Sequence, residues 1–340
     1  MKILYLSCHS ILEHDEVKLF TELGHEVFAF GSYQNPTAPH DPKRPAIKGK
    51  INEYLLNVAL QCSQADLHEK MIEWADLIMI MHKPDWVLSN WPKIKHKRVV
   101  LRTIGQNTPD IEKMLSIPKI EGLKIVRYSP EEQTIDGFAG QEAMIRFYKD
   151  PEEFCGYSGE IPAVLSVSQS MKERNKFCGY DIFMEASEGF HRNLYGNPSR
   201  NADLSLMDDP LWRGQLSYEE LKDTYRKHRV YFYTGTYPAS YTLNFIEAFM
   251  TGIPVVSIGR DLANIQLFKG MDAFEIDKII ENGVNGYISD SVEELREYIS
   301  FLIENPVKAK EIGDKGRETA IELFGKEKIK KEWKEFLDSL

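Results

Sequence analysis

Short apolar runs rich in β-branched and aromatic residues alternate with helical patterns along the whole chain, and the series occurs twice. The first series runs "KILYL" (2–6), "EVFAF" (26–30), "DLIMIM" (76–81), "RVVLRT" (98–103), "KIVRYS" (124–129) and "AMIRF" (143–147). The second runs "AVLSV" (163–167), "ADLSLM" (202–207), "VYFYT" (230–234), "PVVSI" (254–258) and "GYISD" (286–290). Continuous rather than alternating apolar strands, separated by helices, predict parallel sheets covered on both faces. The expected fold class is therefore α/β, with two Rossmann-like doubly wound domains facing a cleft. The length of 340 residues agrees with two domains. The Gly/Pro-rich "FCGYSGEIP" (154–162) reads as the linker. That divides the chain into 1–155, 156–322 and a terminal helix, 323–340, expected to cross back to the first domain. Between the first strands, "INEYLLNVALQCSQADLHEKMIEWA" reads as one long helix. Two amphipathic helices are expected to close the chain.

The stretch "TGTYPASYTLNFIEAFMTGIPVVS" (234–257) carries the most chemistry. It follows a strand, so its hydroxyl-rich loop belongs at the carboxyl edge of a sheet, where open parallel sheets bind ligands. Ser240 or Thr242 is expected to cap the following helix by accepting one of its N–H groups. The remaining N–H groups and the helix dipole favour an anion such as phosphate. Gly252 ends the helix. The helix is apolar nearly all round, which predicts burial. Asn244, Glu247 and Thr251 make one polar stripe, which faces either water or a ligand. On the second reading Glu247 accepts hydrogen bonds from a vicinal diol such as a ribose.

Composition excludes several classes. No apolar run is long enough to span a bilayer. The N-terminal "MKILYLSCHS" reads as a strand of a cytoplasmic protein rather than a signal peptide. Four scattered cysteines without CxxC spacing argue against zinc or redox motifs. No GxGxxG follows either first strand, so the dinucleotide fingerprint is absent. A net charge of −10 disfavours nucleic acid as a partner. Two basic clusters oppose that trend: Lys43, Arg44, Lys48 and Lys50, then Lys93, Lys95, Lys97, Arg98 and Arg102. Each is either a solvated surface or a site for an anionic acceptor.

"SYTLNFIEAFMTGIPVVSI" resembles the nucleotide-sugar motif of the GT-B-fold, retaining family-four glycosyltransferases (glycosyl transferases group 1). "FEIDKIIENGVNGYISDSVEELREYI" and "RGQLSYEELKDTYRKHRVYFYTG" are similar to the segments flanking that motif. The likeness is specific in the second half. It is diffuse in the first, where "LGHEVFAF", "ADLIMIMHKP" and "MIRFYKDPEEF" carry it. The resemblance implies transfer of a sugar from a nucleoside-diphosphate donor to an acceptor, with retention, without metal and without a further cofactor. It implies that Glu247 holds the ribose and that the backbone N–H groups of Thr242 and Leu243 meet the diphosphate. Ser240, Tyr241 and Ala239 complete the donor-binding set. Basic groups after the second domain's first strand neutralise the leaving group. Of Lys172, Arg174 and Lys176, the latter two are preferred, Arg as a two-bond clamp and Lys as a point charge.

Two departures from the family pattern stand out. Ala239 replaces a glutamate that faces the donor sugar, and Ile104 or Gly105 stands where the family often has a histidine. Replacement groups in the first domain are His82, taken as catalytic, and His9, His14 and Gln106 on the acceptor side. Acceptors implied are a glycan, a small molecule or a polymer, with nucleic acid the less favoured alternative. A GT-B protein that binds a nucleotide sugar or glycan without transferring it is the alternative function. A metal-dependent GT-A enzyme is disfavoured because Asp208-Asp209 lacks DxD spacing.

Overall fold

The computed structural model describes residues 1–31, 44, 52–105, 107–196, 211–263 and 270–340. They form two compact units, Met1–Phe147 with Ile329–Leu340, and Tyr148–Lys328.

The first unit is built on six strands: β1 (Lys2–Leu6), β2 (Glu26–Ala29), β3 (Leu77–Met81), β4 (Arg98–Arg102), β5 (Lys124–Arg127) and β6 (Ala143–Met144). They pair in the order β2-β1-β3-β4-β5-β6, all parallel. Every residue of β3 is buried, as a central strand with helices on both faces requires. The helices are α1 (Ser10–Glu22), α2 (Glu53–Ala59), α3 (Glu69–Trp74), α4 (Pro84–Ile94) and α5 (Pro109–Ile120). The long helix expected over residues 51–75 is thus two short ones. Asn52 caps the first and His68 the second. The break lets Gln64 reach β1, accepting from the Ser7 N–H at 2.8 Å and donating to the Ser7 carbonyl at 3.1 Å.

Two fully buried arginines hold this unit's far edge. Arg102 donates to Glu16 at 2.8 Å and to the carbonyls of Arg127 and Ile145. Arg127 forks onto both Glu112 oxygens at 2.7 Å each. Arg102 therefore leaves the basic cluster read from the sequence. Lys93 and Lys95 of the same cluster pair with Asp66 and Glu121, which disperses it further. Lys43, Lys48 and Lys50 lie outside the described residues, while Arg44 stands 3.7 Å from Asp15.

The second unit has β7 (Ile161–Val167), β8 (Arg192–Tyr195), β9 (His228–Tyr233), β10 (Val255–Ile258) and β11 (Tyr287–Ser289), all parallel, in the order β11-β10-β9-β7-β8. β8 was not expected. Only Leu194 of "RNLY" is buried, so it shows no apolar run. The strand expected at 202–207 and the Asp208-Asp209 doublet lie outside the described residues. Around the sheet are α6 (Asn175–Cys178), α7 (Tyr180–Ala186), α8 (Tyr218–Lys227), α9 (Leu243–Thr251), α10 (Arg260–Ala263), α11 (Ile276–Ile279), α12 (Val292–Glu304), α13 (Pro306–Phe324) and α14 (Lys326–Ser339). Three helices rather than two close the chain, and residues 329–340 of the last belong to the first unit.

The segment 154–162 is not a free linker but part of the second unit. Arg226 donates to the Cys155 carbonyl at 2.7 Å, and Tyr157 donates to the Arg229 carbonyl at 2.9 Å. The apolar girth of α9 has a direct cause. α13 packs along it, and a Cβ on Gly313 would stand 2.0 Å from the Gly252 carbonyl oxygen. Glycine at 313 thus lets two helices approach at backbone distance and bury Phe245, Phe249 and Met250 completely.

Candidate functional site

β9 ends at Tyr233, and the chain then crosses the carboxyl edge of the second sheet before entering α9. The crossing is pinned to α6. Thr234 Oγ1 donates to the Cys178 carbonyl at 2.5 Å, and the Tyr237 N–H to the Phe177 carbonyl at 2.7 Å. Gly179 adopts φ +65°, and a Cβ there would meet the Thr234 side chain at 3.1 Å. A pocket of about 200 Å³ opens between this loop, α6, the end of β10 and residues 271–274. Its far wall is held by Arg260, which bonds Asp277 at 2.7 Å, Asp272 at 2.5 Å and the Phe274 carbonyl at 2.6 Å.

The start of α9 differs from the expected cap. Thr242 occupies the N-cap position but makes no side-chain cap bond, and Ser240 lies two residues outside it. Asn244 takes over. Its Oδ1 accepts the Phe245 N–H at 2.9 Å, and its Nδ2 donates to the Val167 carbonyl at the end of β7. Thr242 turns its hydroxyl to Tyr233 at 3.1 Å. Among the described residues no acceptor meets the Leu243 or Asn244 N–H. A helix mouth with uncapped N–H groups suits an anion. Asn244 is the positioning residue that sequence reasoning passed over. An amide one residue inside the helix, rather than a hydroxyl at its cap, was the available signal.

The remaining donor-side residues divide sharply. Ala239 and Lys176 both line the pocket, and Lys176 is exposed. Arg174 stands at the N-cap of α6, two residues before Lys176, and does not line the pocket. Tyr241 is a correction: its ring is buried and packs edge-on against Phe324, 5.2 Å between centroids, so it is a core residue. Ser240 is also fully buried, its carbonyl accepting the Glu275 N–H at 3.1 Å. Glu247 does not line the pocket. It is 4% exposed, and its Oε1 is 3.0 Å from Lys149 Nζ, itself 3% exposed. The Tyr225 hydroxyl stands 3.5 Å from the other oxygen. The polar stripe of α9 thus has protein partners along its length, Thr251 included, whose hydroxyl bonds the Glu247 carbonyl.

In the first unit, His9 and His82 come together at the carboxyl ends of β1 and β3, near enough for their charges to interact. His9 caps α1, its Nδ1 accepting the Leu12 N–H at 3.4 Å. His14 is a correction: it is buried on α1, with Nδ1 3.2 Å from Asp15 Oδ1, and belongs to the fold rather than the edge. Gln106 lies outside the described residues. His82 sits at φ 62°, a left-handed conformation uncommon for a non-glycine residue. Strain of this kind concentrates at functional positions. Burial, and then the charge of Lys83, lower its pKa to about 4, so the ring is neutral at pH 7.

That displacement has a consequence for stability. Unfolded His82 takes up a proton below its ordinary pKa near 6.5, whereas folded His82 resists until about 4. The contribution is complete above pH 6.5 and drains away as pH falls towards 4. Between pH 7 and pH 4.5 it amounts to about 2 kcal/mol. His82→Asn, whose side chain tolerates the left-handed region, should lose less stability over that interval than the wild type. Urea titrations of both proteins at the two pH values check this.

Among the described residues no cluster of three or more His, Cys, Asp or Glu side chains could hold a metal ion. All four cysteines are free, and no helix is long and apolar enough to cross a membrane.

Residues 180–326 match the family model described as glycosyl transferase-like. No curated protein is a significant sequence match. In fold the chain is similar to sucrose-phosphate synthase from Thermosynechococcus elongatus, with TM-score 0.70 and 15% identity over 100% of this chain and 98% of that one. It is similar to HepE of Anabaena, solved in complex with UDP-glucose, at TM-score 0.71 and 16% identity over 100% of both chains. A glycosyltransferase from Rickettsia africae gives TM-score 0.68 and 14% identity over 98% and 97%. At such identities the structural likeness speaks for the fold, which is GT-B. The fold is thus GT-B over the whole chain, and within it the second unit carries the match to the glycosyl transferase-like family model.

Proposed function

We propose that the chain moves a sugar from a nucleoside diphosphate held by the second unit to an acceptor hydroxyl, with retention and without metal or further cofactor. The observation that carries this is the open mouth of α9. Its uncapped Leu243 and Asn244 N–H groups face the carboxyl edge that also bears Lys176 and the pocket. HepE, of the same fold, was solved with UDP-glucose, which makes UDP the first nucleotide to test.

In this reading the bond from the anomeric carbon to the diphosphate oxygen breaks, and its electron pair leaves with the diphosphate. The acceptor oxygen bonds to the same carbon, and its proton ends on the departing phosphate. The α9 N–H groups, Arg174 and Lys176 stabilise the charge that develops on the diphosphate. Electrostatic help of this kind is the largest single contribution in many enzymes. Glu247 receives ribose hydroxyls while Lys149 fixes its carboxylate in place. Retention here is a front-face event. The two carboxylates at the pocket, Asp181 and Asp272, are engaged by Asn175 and Arg260, so neither is set up as a covalent nucleophile. His82, neutral at pH 7, marks the acceptor side together with His9, and the acceptor is a glycan, small molecule or polymer. We place the reaction in the cytoplasm, where free thiols stay reduced.

Calorimetry with a panel of nucleoside diphosphates tests the reading, and failure of every member to bind would sink it. Arg174→Ala is expected to lower kcat about a hundredfold, the scale seen when one donor to a developing charge is removed. KM for the donor should change far less. An equal rise in KM with kcat unchanged would make Arg174 a ground-state binding group only. Transfer should persist in EDTA, and strict dependence on Mn²⁺ would contradict the metal-free step.

A further inference from the structure

The pocket beside Ala239 says something about the sugar itself. Its walls are apolar where a fully hydroxylated sugar would want partners: Ile182, Ile258, Leu262, Met271 and Phe274 line it together with the Ala239 methyl. Among the described residues several of the polar groups on its lining are engaged with protein partners, while Thr236 and Tyr237 also stand on it. Asn175 and Asp181 bond each other, the Asp181 N–H to Asn175 Oδ1 at 2.9 Å, and Asp272 is tied to Arg260 at 2.5 Å. Among the described residues Lys176 is the cation on the lining.

The pocket's place in the unit identifies which part of the donor it meets. It is bounded by α6, α7, the end of β10 and the loop after it. Glu247 does not line it. That carboxylate is engaged by Lys149 and by Tyr225 of α8, neither of which lines the pocket. The mouth of α9 stands between them in the chain, its N-cap Thr242 three residues after Ala239 and five before Glu247. With a diphosphate at that mouth and the nucleoside on the Glu247 side, the group at the opposite end is the transferred sugar. Deepening the proposed function on which it rests, we infer that this pocket receives the transferred sugar, and that the sugar presents a methyl-terminated substituent to it. An acetamido group and the methyl of a 6-deoxy sugar share that chemistry. A plain hexose would turn hydroxyls to Ile258, Met271 and Phe274 and leave them without partners, an arrangement that costs more than it returns.

The test titrates pairs of sugar nucleotides that differ in one substituent. UDP-glucose is set against UDP-N-acetylglucosamine, and a 6-deoxyhexose nucleotide against its 6-hydroxy counterpart with the same base. A methyl group fitting an apolar pocket separates two ligands by roughly ten- to two-hundred-fold. At least one pair should therefore differ by tenfold or more in favour of the methyl-bearing member, and the pair that does so identifies the substituent. Ala239→Glu, which sets a carboxylate into the apolar wall, should shrink or reverse that ratio. Bare UDP titrated into the same proteins reports separately on the fold and the nucleoside grip. Equal or tighter binding of the fully hydroxylated member in both pairs overturns the inference, as does a ratio unmoved by Ala239→Glu. If bare nucleoside diphosphates also fail to bind, it is the proposed function that falls, and this inference with it.

Discussion

Glu247→Ala is expected to cost the second unit about 3–5 kcal/mol, because it strands the buried Lys149 ammonium without its partner. Neither side chain is more than 5% exposed, so water cannot take the place of the lost carboxylate. The same variant should lose nucleotide binding if Glu247 grips the ribose. Those two effects are separable. In Lys149→Met with Glu247→Leu, both charges go and the volumes are roughly kept, a change that is often close to neutral for stability. The double variant should regain most of the stability and none of the nucleotide affinity. Urea unfolding and calorimetry with UDP, run on the single and double variants, read the two quantities. Recovery of both in the double variant would leave Glu247 a purely structural residue and move the ribose elsewhere.

Arg102→Ala should be as damaging to the first unit, again by about 3–5 kcal/mol. The guanidinium is fully buried between β4, α1 and the last helix. It bonds Glu16, which in turn accepts from the Tyr5 hydroxyl, and it lies 5.3 Å from the Trp333 ring centroid and 5.0 Å from that of Phe147. Its loss leaves a buried carboxylate and two strand carbonyls without their donor. Arg102→Met with Glu16→Leu removes the stranded charge and should recover part of the loss, but not the carbonyl bonds. Trp333 reports on the outcome. Its ring is wholly buried against Phe20 at 5.0 Å, so loosening of the arginine should expose it to quencher before the rest of the unit unfolds. Quenching unchanged from the wild type would show that the helix docks without the arginine.

The parallel sheets were legible because a central parallel strand is apolar along its whole length. "LIMIM" and "VYFY" can sit in few other places. β8 was not legible for the complementary reason, since one buried residue in four leaves no pattern. The break between α2 and α3 was also hidden. Helical spacing continues through residues 60–68, and what makes the interruption favourable is distant in sequence: the two bonds between Gln64 and Ser7, and those of Asn90 and Ser89 to the same segment. In the candidate site, the helix start after a hydroxyl-rich loop and its Gly252 stop follow from local chemistry. The identity of its cap does not, because Asn244 is chosen by the carbonyl of Val167, seventy-seven residues away in sequence.

What the sequence determined by itself is the doubly wound α/β architecture and the position of the hydroxyl-rich loop and its helix at a strand end. Both depend on periodicity and on neighbours within a few residues. What only the tertiary structure decided is the environment of each polar group. The same patterns are compatible with an exposed Arg102, a solvent-facing Glu247 or a hydroxyl-rich surround for Ala239. Packing instead sealed Arg102 between three elements, faced Glu247 with Lys149, and gave Ala239 an apolar pocket. The physical reason is that burial and charge pairing are set by residues far apart in the chain, and a periodic pattern carries the face a residue is on but not what stands opposite it.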